Sequence, residues 1–362
     1  MGGTYGMNLK VTIFGESHGE SIGTVITGLP CGIELDMEKI ARHMARRAPG
    51  YSDTSTPRKE ADIPEVQSGV FNGKTTSAPL CAIIRNTSQR STDYDAYAMK
   101  PRPGHADYTA HIKYNSMNDP RGGGHFSGRL TAPLNFAGAV CLQTLERVGV
   151  HIGAHIYEAA GIKDTPFDPV NPGAETIAKV KEKPFPTLSD DAGLKMREAI
   201  LQAAKEGDSV GGVVECACIG LPVGLGEPFF GSVESSLSAL LFSIPGVKGV
   251  DFGAGFDIAK MHGSQSNDPF ILDGGMVKTR TNHCGGILGG ITDGMPLVFR
   301  AAFKPTPSIS QKQVTIDFDK MESTQIEIHG RHDPCIVPRA VPVAESAAAI
   351  ALLDLMITAA LR

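Results

Sequence analysis

Alternating apolar positions over Val11 to Phe14 and Gly23 to Thr27 predict two short strands flanking a glycine-rich turn. Met37 to Arg47 then carries apolar residues at helical spacing and stops short of Pro49, which predicts an amphipathic helix. From Val66 to Arg85 the pattern reads as a hairpin, with turn chemistry at Asn72-Gly73. Residues 87–129 lose periodicity and are dense in Pro, Gly, Arg and Asp, the composition of long functional loops. A helix follows from about Ala132 to Arg147, with Pro133 at a permissible first-turn position. Further helices are expected near Ala192 to Glu206 and from Ala344 onward. Antiparallel hairpins mixed with helices predict a layered α+β fold rather than a doubly wound parallel sheet.

Much of this pattern occurs twice. Gly15-Glu16-Ser17-His18-Gly19 and Gly28-Leu29-Pro30-Cys31-Gly32 return as Gly207-Asp208-Ser209-Val210-Gly211 and Gly220-Leu221-Pro222-Val223-Gly224, in a constant register of 192 positions. Pro49-Gly50 matches Pro245-Gly246, and the pair Arg121 and Arg129 matches Arg331 and Arg339. The expectation is one domain over residues 1–362, with pseudo-repeats at about 11–147 and 203–361 and no counterpart for 151–200. A shared fold demands only the shared residues, so positions that differ are candidates for chemistry. His18 against Val210 is one; Arg46 and Arg47 against Phe242 and Ser243 are others.

With 41% apolar residues, the chain can bury a large core. A net charge of −5 argues against nucleic-acid binding, which needs clustered positive charge. Arginines still concentrate around 42–58 and 85–129, as expected for one anionic small-molecule site on an acidic body. Seven scattered cysteines do not form a disulfide framework. No basic segment with a following apolar run marks the N-terminus as a secretory signal. The apolar stretch Ala347 to Leu361 is interrupted by Asp354 and too short to span a bilayer, so a soluble cytoplasmic protein with no membrane partner is expected. His151 and His155 could share a helix face, but no Glu accompanies them; they read as surface histidines, and no metal is expected. Gly69…Gly73-Lys74-Thr75 fails the P-loop count and reads as a hairpin turn.

His18 sits between glycines beside the Ser17 hydroxyl, and His105 lies in Arg102-Pro103-Gly104-His105-Ala106-Asp107. Loop histidines suit proton donation near neutral pH, and adjacent anions raise the pKa of such a group. Arg121-Gly122-Gly123-Gly124-His125-Phe126-Ser127-Gly128-Arg129 runs into a helix start. Glycines there let backbone approach a ligand, and the helix end offers N–H groups to an anion. Arg331-His332-Asp333…Arg339 precedes the C-terminal helix in the same way. Because both copies keep this arginine pair, a structural role is also open. As a group, the arginines imply a ligand with several negative charges.

Phe14-Gly15-Glu16-Ser17-His18-Gly19, Arg102 to Asp107, Arg121 to Gly124, Lys304-Pro305-Thr306 and Arg331-His332-Asp333-Pro334-Cys335 together resemble the chorismate synthases. The resemblance implies helices packed between two antiparallel sheets, and a homotetramer. It implies 1,4-elimination of phosphate from 5-enolpyruvylshikimate 3-phosphate, with reduced FMN as cofactor and no net redox change. By carry-over, His18 would protonate the departing phosphate with Ser17 beside it. His105 would protonate or hydrogen-bond the reduced flavin, and Asp333 would act with it in removing the ring proton. Arg46, Arg47, Arg129 and Arg339 would hold substrate anions. His125, Phe126, Ser127, Gly289, Lys304, Pro305, Thr306, Pro307, Ser308 and Arg331 would form the FMN site.

Some positions depart from the family pattern. His125 stands for an arginine, Phe126 for a small polar residue, Pro245-Gly246 for Asn-Ala and Pro307 for Ser. Asp53 replaces an arginine assigned to NADP binding in some members. That weakens a built-in flavin reductase, so NADPH is expected to act only indirectly, through a separate one. The rival readings are a conventional flavin oxidoreductase and a non-catalytic flavin- or anion-binding protein. Binding alone does not need His18, His105 and Asp333 together.

Overall fold

Two five-stranded antiparallel sheets enclose a layer of helices. The computed structural model describes residues 2–51, 54–55, 60–87, 99–328 and 332–361, so Asp53 and Arg331 lie outside the described residues. The first sheet is built on β1 (Lys10–Gly15), β2 (Ser21–Thr27), β3 (Glu65–Ser68) and β4 (Leu80–Arg85), in the order β1-β2-β4-β3, with Thr4–Tyr5 at its edge. The second has β5 (His151–Ala159), β6 (Gly212–Ile219), β7 (Val247–Phe252) and β8 (Leu297–Phe303), in the order β5-β6-β8-β7, with Ile162–Lys163 at its edge. The two orders correspond strand for strand. β5 thus holds in its sheet the place of β1, although the sequence from 151 on shows no likeness to the first strand.

The α-helices of seven or more residues among the described residues are α1 (Met37–Arg47), α2 (Asp107–Lys113), α3 (Thr131–Glu146), α4 (Ala174–Glu182), α5 (Asp190–Lys205), α6 (Val233–Ser243) and α7 (Val337–Ala360). α1 starts where Asp36 accepts hydrogen bonds from the Glu38 and Lys39 amides at 3.0 Å, and its last turn carries Arg46 and Arg47 against the helix dipole. α3 packs on the first sheet, α7 on the second, and the two pack on each other. They cross closely at Gly138, where a β-carbon would lie 2.1 Å from Ser346 Cβ. α4 covers β5 on the outer side of the second sheet, burying Ile177 and Val180 against Ala217 and Val298.

Three expectations are corrected. α7 begins at Val337, not Ala344, and runs through Pro342. Burial from Val337 to Leu355 outweighs the roughly 3 kcal/mol that an interior proline costs. By length and composition this helix could cross a membrane, yet it is a buried core helix. Asp354 does not interrupt it: the carboxylate accepts the Met7, Asn8 and Leu9 amides at 2.8 Å and anchors the entry to β1. His155 is neither helical nor at the surface. It is fully buried on β5, 3.0 Å from both Asp164 and Glu215. Burial alone would lower its pKa, but the two carboxylates raise it above the usual value.

Candidate active site

The turn between β1 and β2 places Ser17 and His18, both buried, at one wall of a cavity of about 1310 Å³. That turn is held from outside. Asn86 donates its amide to the Glu16 and Gly19 carbonyls (3.1 and 2.9 Å), and the Ser17 amide donates to Gly124 O at 3.1 Å. Gly122, Gly123 and Gly124 all have positive φ (60°, 82° and 53°). A β-carbon on Gly122 would lie 2.5 Å from His18 Cδ2, 2.6 Å from Nε2 and 3.0 Å from Ser17 Oγ. The glycine run therefore lets backbone lie against the imidazole, which no side-chain-bearing residue could do.

His105 faces the same cavity from the loop before α2. Its Nδ1 lies 3.1 Å from the Pro103 carbonyl and its Nε2 2.8 Å from the Ser308 hydroxyl. Burial, and then the nearby Arg102 cation, push its pKa down to about 4, so at neutral pH the ring is uncharged. Nδ1–H then donates to the carbonyl, and the hydroxyl donates to Nε2. This corrects the expectation of a raised pKa: within the chain, the Arg102 charge outweighs that of Asp107. Arg102 itself donates Nε and Nη2 to Asp107 at 2.7 and 2.8 Å, fixing the loop.

Lys304, Pro305, Thr306, Pro307 and Ser308 all line the cavity, and Lys304 Nζ donates to the Gly104 carbonyl. Burial and the neighbouring Lys248 lower the Lys304 pKa. His125, Phe126 and Ser127 complete this side, with His125 Nδ1 2.8 Å from Gly15 O. Across from them, Asp333 accepts from Arg339 Nη1 at 2.5 Å, and Arg339 Nε donates to the Arg47 carbonyl at 2.9 Å. Thr306 Oγ1 and His332 Nε2 are buried polar atoms without a hydrogen-bond partner among the described residues. Such atoms in a cavity wall fit a bound polar ligand.

A family model described as chorismate synthase matches residues 9–357. The chain belongs to the chorismate synthase family. A chorismate synthase of Dehalococcoides mccartyi is 46% identical over 359 residues, covering 99% of this chain and 98% of that one. One of Thermococcus gammatolerans is 46% identical over 350 residues, covering 96% of each. A crystal structure of chorismate synthase is similar with a TM-score of 0.78 at 28% identity, covering 98% of this chain and 93% of that one. The α+β arrangement of antiparallel sheets with helices is therefore the chorismate synthase fold, and the chain is a phosphate-eliminating lyase of that family.

Of the residues the sequence singled out, Ser17, His18, His105, Asp333, Arg47, Arg129 and Arg339 meet in the cavity, together with His125 to Ser127 and Lys304 to Ser308. Two do not. Arg46 points between helices, donating to Glu345 at 2.6 and 2.9 Å, although it adjoins Arg47 in sequence. Gly289 lies outside the cavity, in the turn joining Ile287–Leu288 to Ile291–Thr292. Sequence reasoning missed Asn86, Glu60, Asp62 and His332. His332 was within reach, since it stands inside a quoted motif; the other three act through partners distant in sequence.

Proposed function

We propose that this cavity converts 5-enolpyruvylshikimate 3-phosphate to chorismate by anti-1,4-elimination of phosphate, with reduced FMN as cofactor. The observation that carries the reading is His18, pinned between Ser17 and the Gly122 backbone, facing a wall of arginines. Reduced FMN, when bound, would supply a transient electron for breaking a non-acidic ring C–H with no net oxidation. His18 gives a proton to the departing phosphate oxygen, a step for which a positioned acid is typically worth roughly 10²–10⁴ in rate. Asp333, held by Arg339, takes part in removing the ring proton. His105 would hydrogen-bond the bound flavin through Nε2 once that atom exchanges the Ser308 hydroxyl for the ring.

His125, Phe126, Ser127 and Lys304 to Ser308 would hold FMN, and the buried Thr306 hydroxyl supports that fit. Arg47, Arg129 and Arg339 line the cavity and would hold substrate anions; Arg46 is left out because it turns away from the cavity to Glu345. A homotetramer is part of this reading. Phe229 and Phe230 are 85% and 98% exposed, which supports a subunit contact on that face. The nearby Gly289 could then reach a flavin only from a second copy. Reduced FMN would come from a separate NADPH-dependent reductase. Cytoplasmic placement is supported by seven free cysteines. We also read the chain as one domain built by internal duplication, the second copy beginning at β5 rather than at 203, with α4 and α5 inserted.

The test is His18→Ala, assayed anaerobically with photoreduced FMN. Phosphate release should fall at least about 10²-fold while substrate still binds. Unchanged release would remove His18 from the mechanism.

A further inference from the structure

The arginines facing the cavity are already paired within the chain. Arg47 commits all three guanidinium nitrogens: Nε to Thr131 Oγ1 (3.0 Å), Nη1 to Asp62 Oδ2 (2.5 Å) and Nη2 to the Gly128 carbonyl (3.0 Å). Arg129 gives Nε to Asn86 Oδ1 (3.0 Å) and Nη1 to Asp62 Oδ1, with Glu60 3.4 Å from the same nitrogen. Farther along the wall, Asp107 holds Arg102 and Asp333 holds Arg339. Two guanidiniums against two carboxylates leave the Arg47–Arg129 pair without net charge.

A ligand phosphate or carboxylate therefore cannot simply be added to this cluster; a protein acceptor has to leave. Among the acceptors named for Arg47 and Arg129, only Asp62 and Glu60 carry the charge such a ligand brings. They sit on one short segment, and Glu60 lines the cavity. Asp62 holds a φ of +49°, left-handed backbone that its ion pairs help to keep in place.

We propose that Asp62, with Glu60 beside it, is an internal stand-in for a ligand anion: it occupies the Arg47–Arg129 site when no ligand is bound and is exchanged for an anionic group of the substrate. The exchange makes Asp62 a specificity-determining residue. A tethered carboxylate competes at an effective concentration on the order of millimolar, so a ligand with one negative charge gains little by replacing it. A ligand with a phosphate and two carboxylates holds other points of the wall while it displaces Asp62, and prevails. Exchange of like for like also spares two buried guanidiniums from ever standing unpaired.

The proposal rests on the anion-binding reading of the cavity, but its test needs neither flavin nor turnover, so the two fail separately. Asp62→Asn keeps the shape and removes the charge. Calorimetric titration of the full chain with inorganic phosphate, and separately with acetate, compares variant and wild type. The expected result is a Kd for at least one anion lowered about tenfold in D62N, with larger thermal stabilisation by that anion. Tightening of phosphate alone assigns the exchange to the phosphate, and tightening of acetate alone to a carboxylate. A folded D62N that binds both anions no better than wild type makes Asp62 a permanent brace and overturns the proposal. If D62N does not fold, Glu60→Gln is titrated instead: a smaller tightening supports the exchange, and no tightening overturns it.

Discussion

Gly122→Ala isolates the contact between the glycine run and the imidazole. The added methyl carbon would sit 2.5 Å from His18 Cδ2 and 2.6 Å from Nε2, about an ångström inside van der Waals contact. The backbone cannot yield freely, since the Ser17 amide is bonded to Gly124 O and Asn86 holds both ends of the turn, so the imidazole has to move. A φ of +60° adds about 1–2 kcal/mol for any side-chain-bearing residue. Gly123→Ala is the control. Its φ is +82°, so backbone strain is similar, but its β-carbon would meet nothing closer than Ser127 Cβ at 3.8 Å. Both variants should lose comparable thermal stability in calorimetry. Only G122A should also lose kcat, by about 10²-fold, the usual result of misplacing a reacting group by an ångström. Anaerobic phosphate release with saturating reduced FMN gives the comparison. Equal kcat losses in the two variants, or a fully active G122A, would refute the claim that the glycine run sets the His18 position.

Two further predictions concern buried charge. Glu345→Gln leaves the largely covered Arg46 without its counter-ion and should cost about 3–5 kcal/mol in urea unfolding, whereas replacing both partners by apolar residues should cost far less. Burial would raise the Glu345 pKa, but Arg46 first among its neighbours holds it down to about 2. Its contribution is thus present above the ordinary glutamate pKa and lost as pH falls toward 2. His155 has the opposite sign. Its pKa is raised in the fold, so its contribution is complete below the ordinary histidine pKa and fades as pH rises through the folded value. Stability measured against pH should therefore fall on the alkaline side in wild type, and His155→Gln should lose that slope; an unchanged slope would show that another group carries it.

The elements legible in the sequence were those with local causes. α1 follows from its Asp36 cap and its apolar spacing, and the 70–75 turn from Asn72-Gly73, whose φ values are 48° and 73°. His18 was legible because the second copy builds the same turn with Val210, and His105 because its loop sets an arginine and a carboxylate close by. What stayed hidden depends on partners far along the chain. Arg46 and Arg47 look alike in sequence, and only Glu345 on α7 and Asp62 separate their roles. His155 resembles a surface histidine until β5 and β6 bring Asp164 and Glu215 to it. The His105 pKa was misjudged because burial, a tertiary effect, leads its causes, and the Arg102 charge in the same loop outweighs that of Asp107. Pro342 hid the start of α7, since local propensity carries no sign of the burial that overrides it.

The central claim is an elimination that leaves the flavin reduced. The direct measurement is the ratio of phosphate released to flavin oxidised, taken anaerobically with 5-enolpyruvylshikimate 3-phosphate in excess over photoreduced FMN. The account predicts many phosphates and equal chorismate per flavin, with the flavin still reduced at the end. One flavin oxidised for each phosphate released would contradict it and make the protein a conventional oxidoreductase.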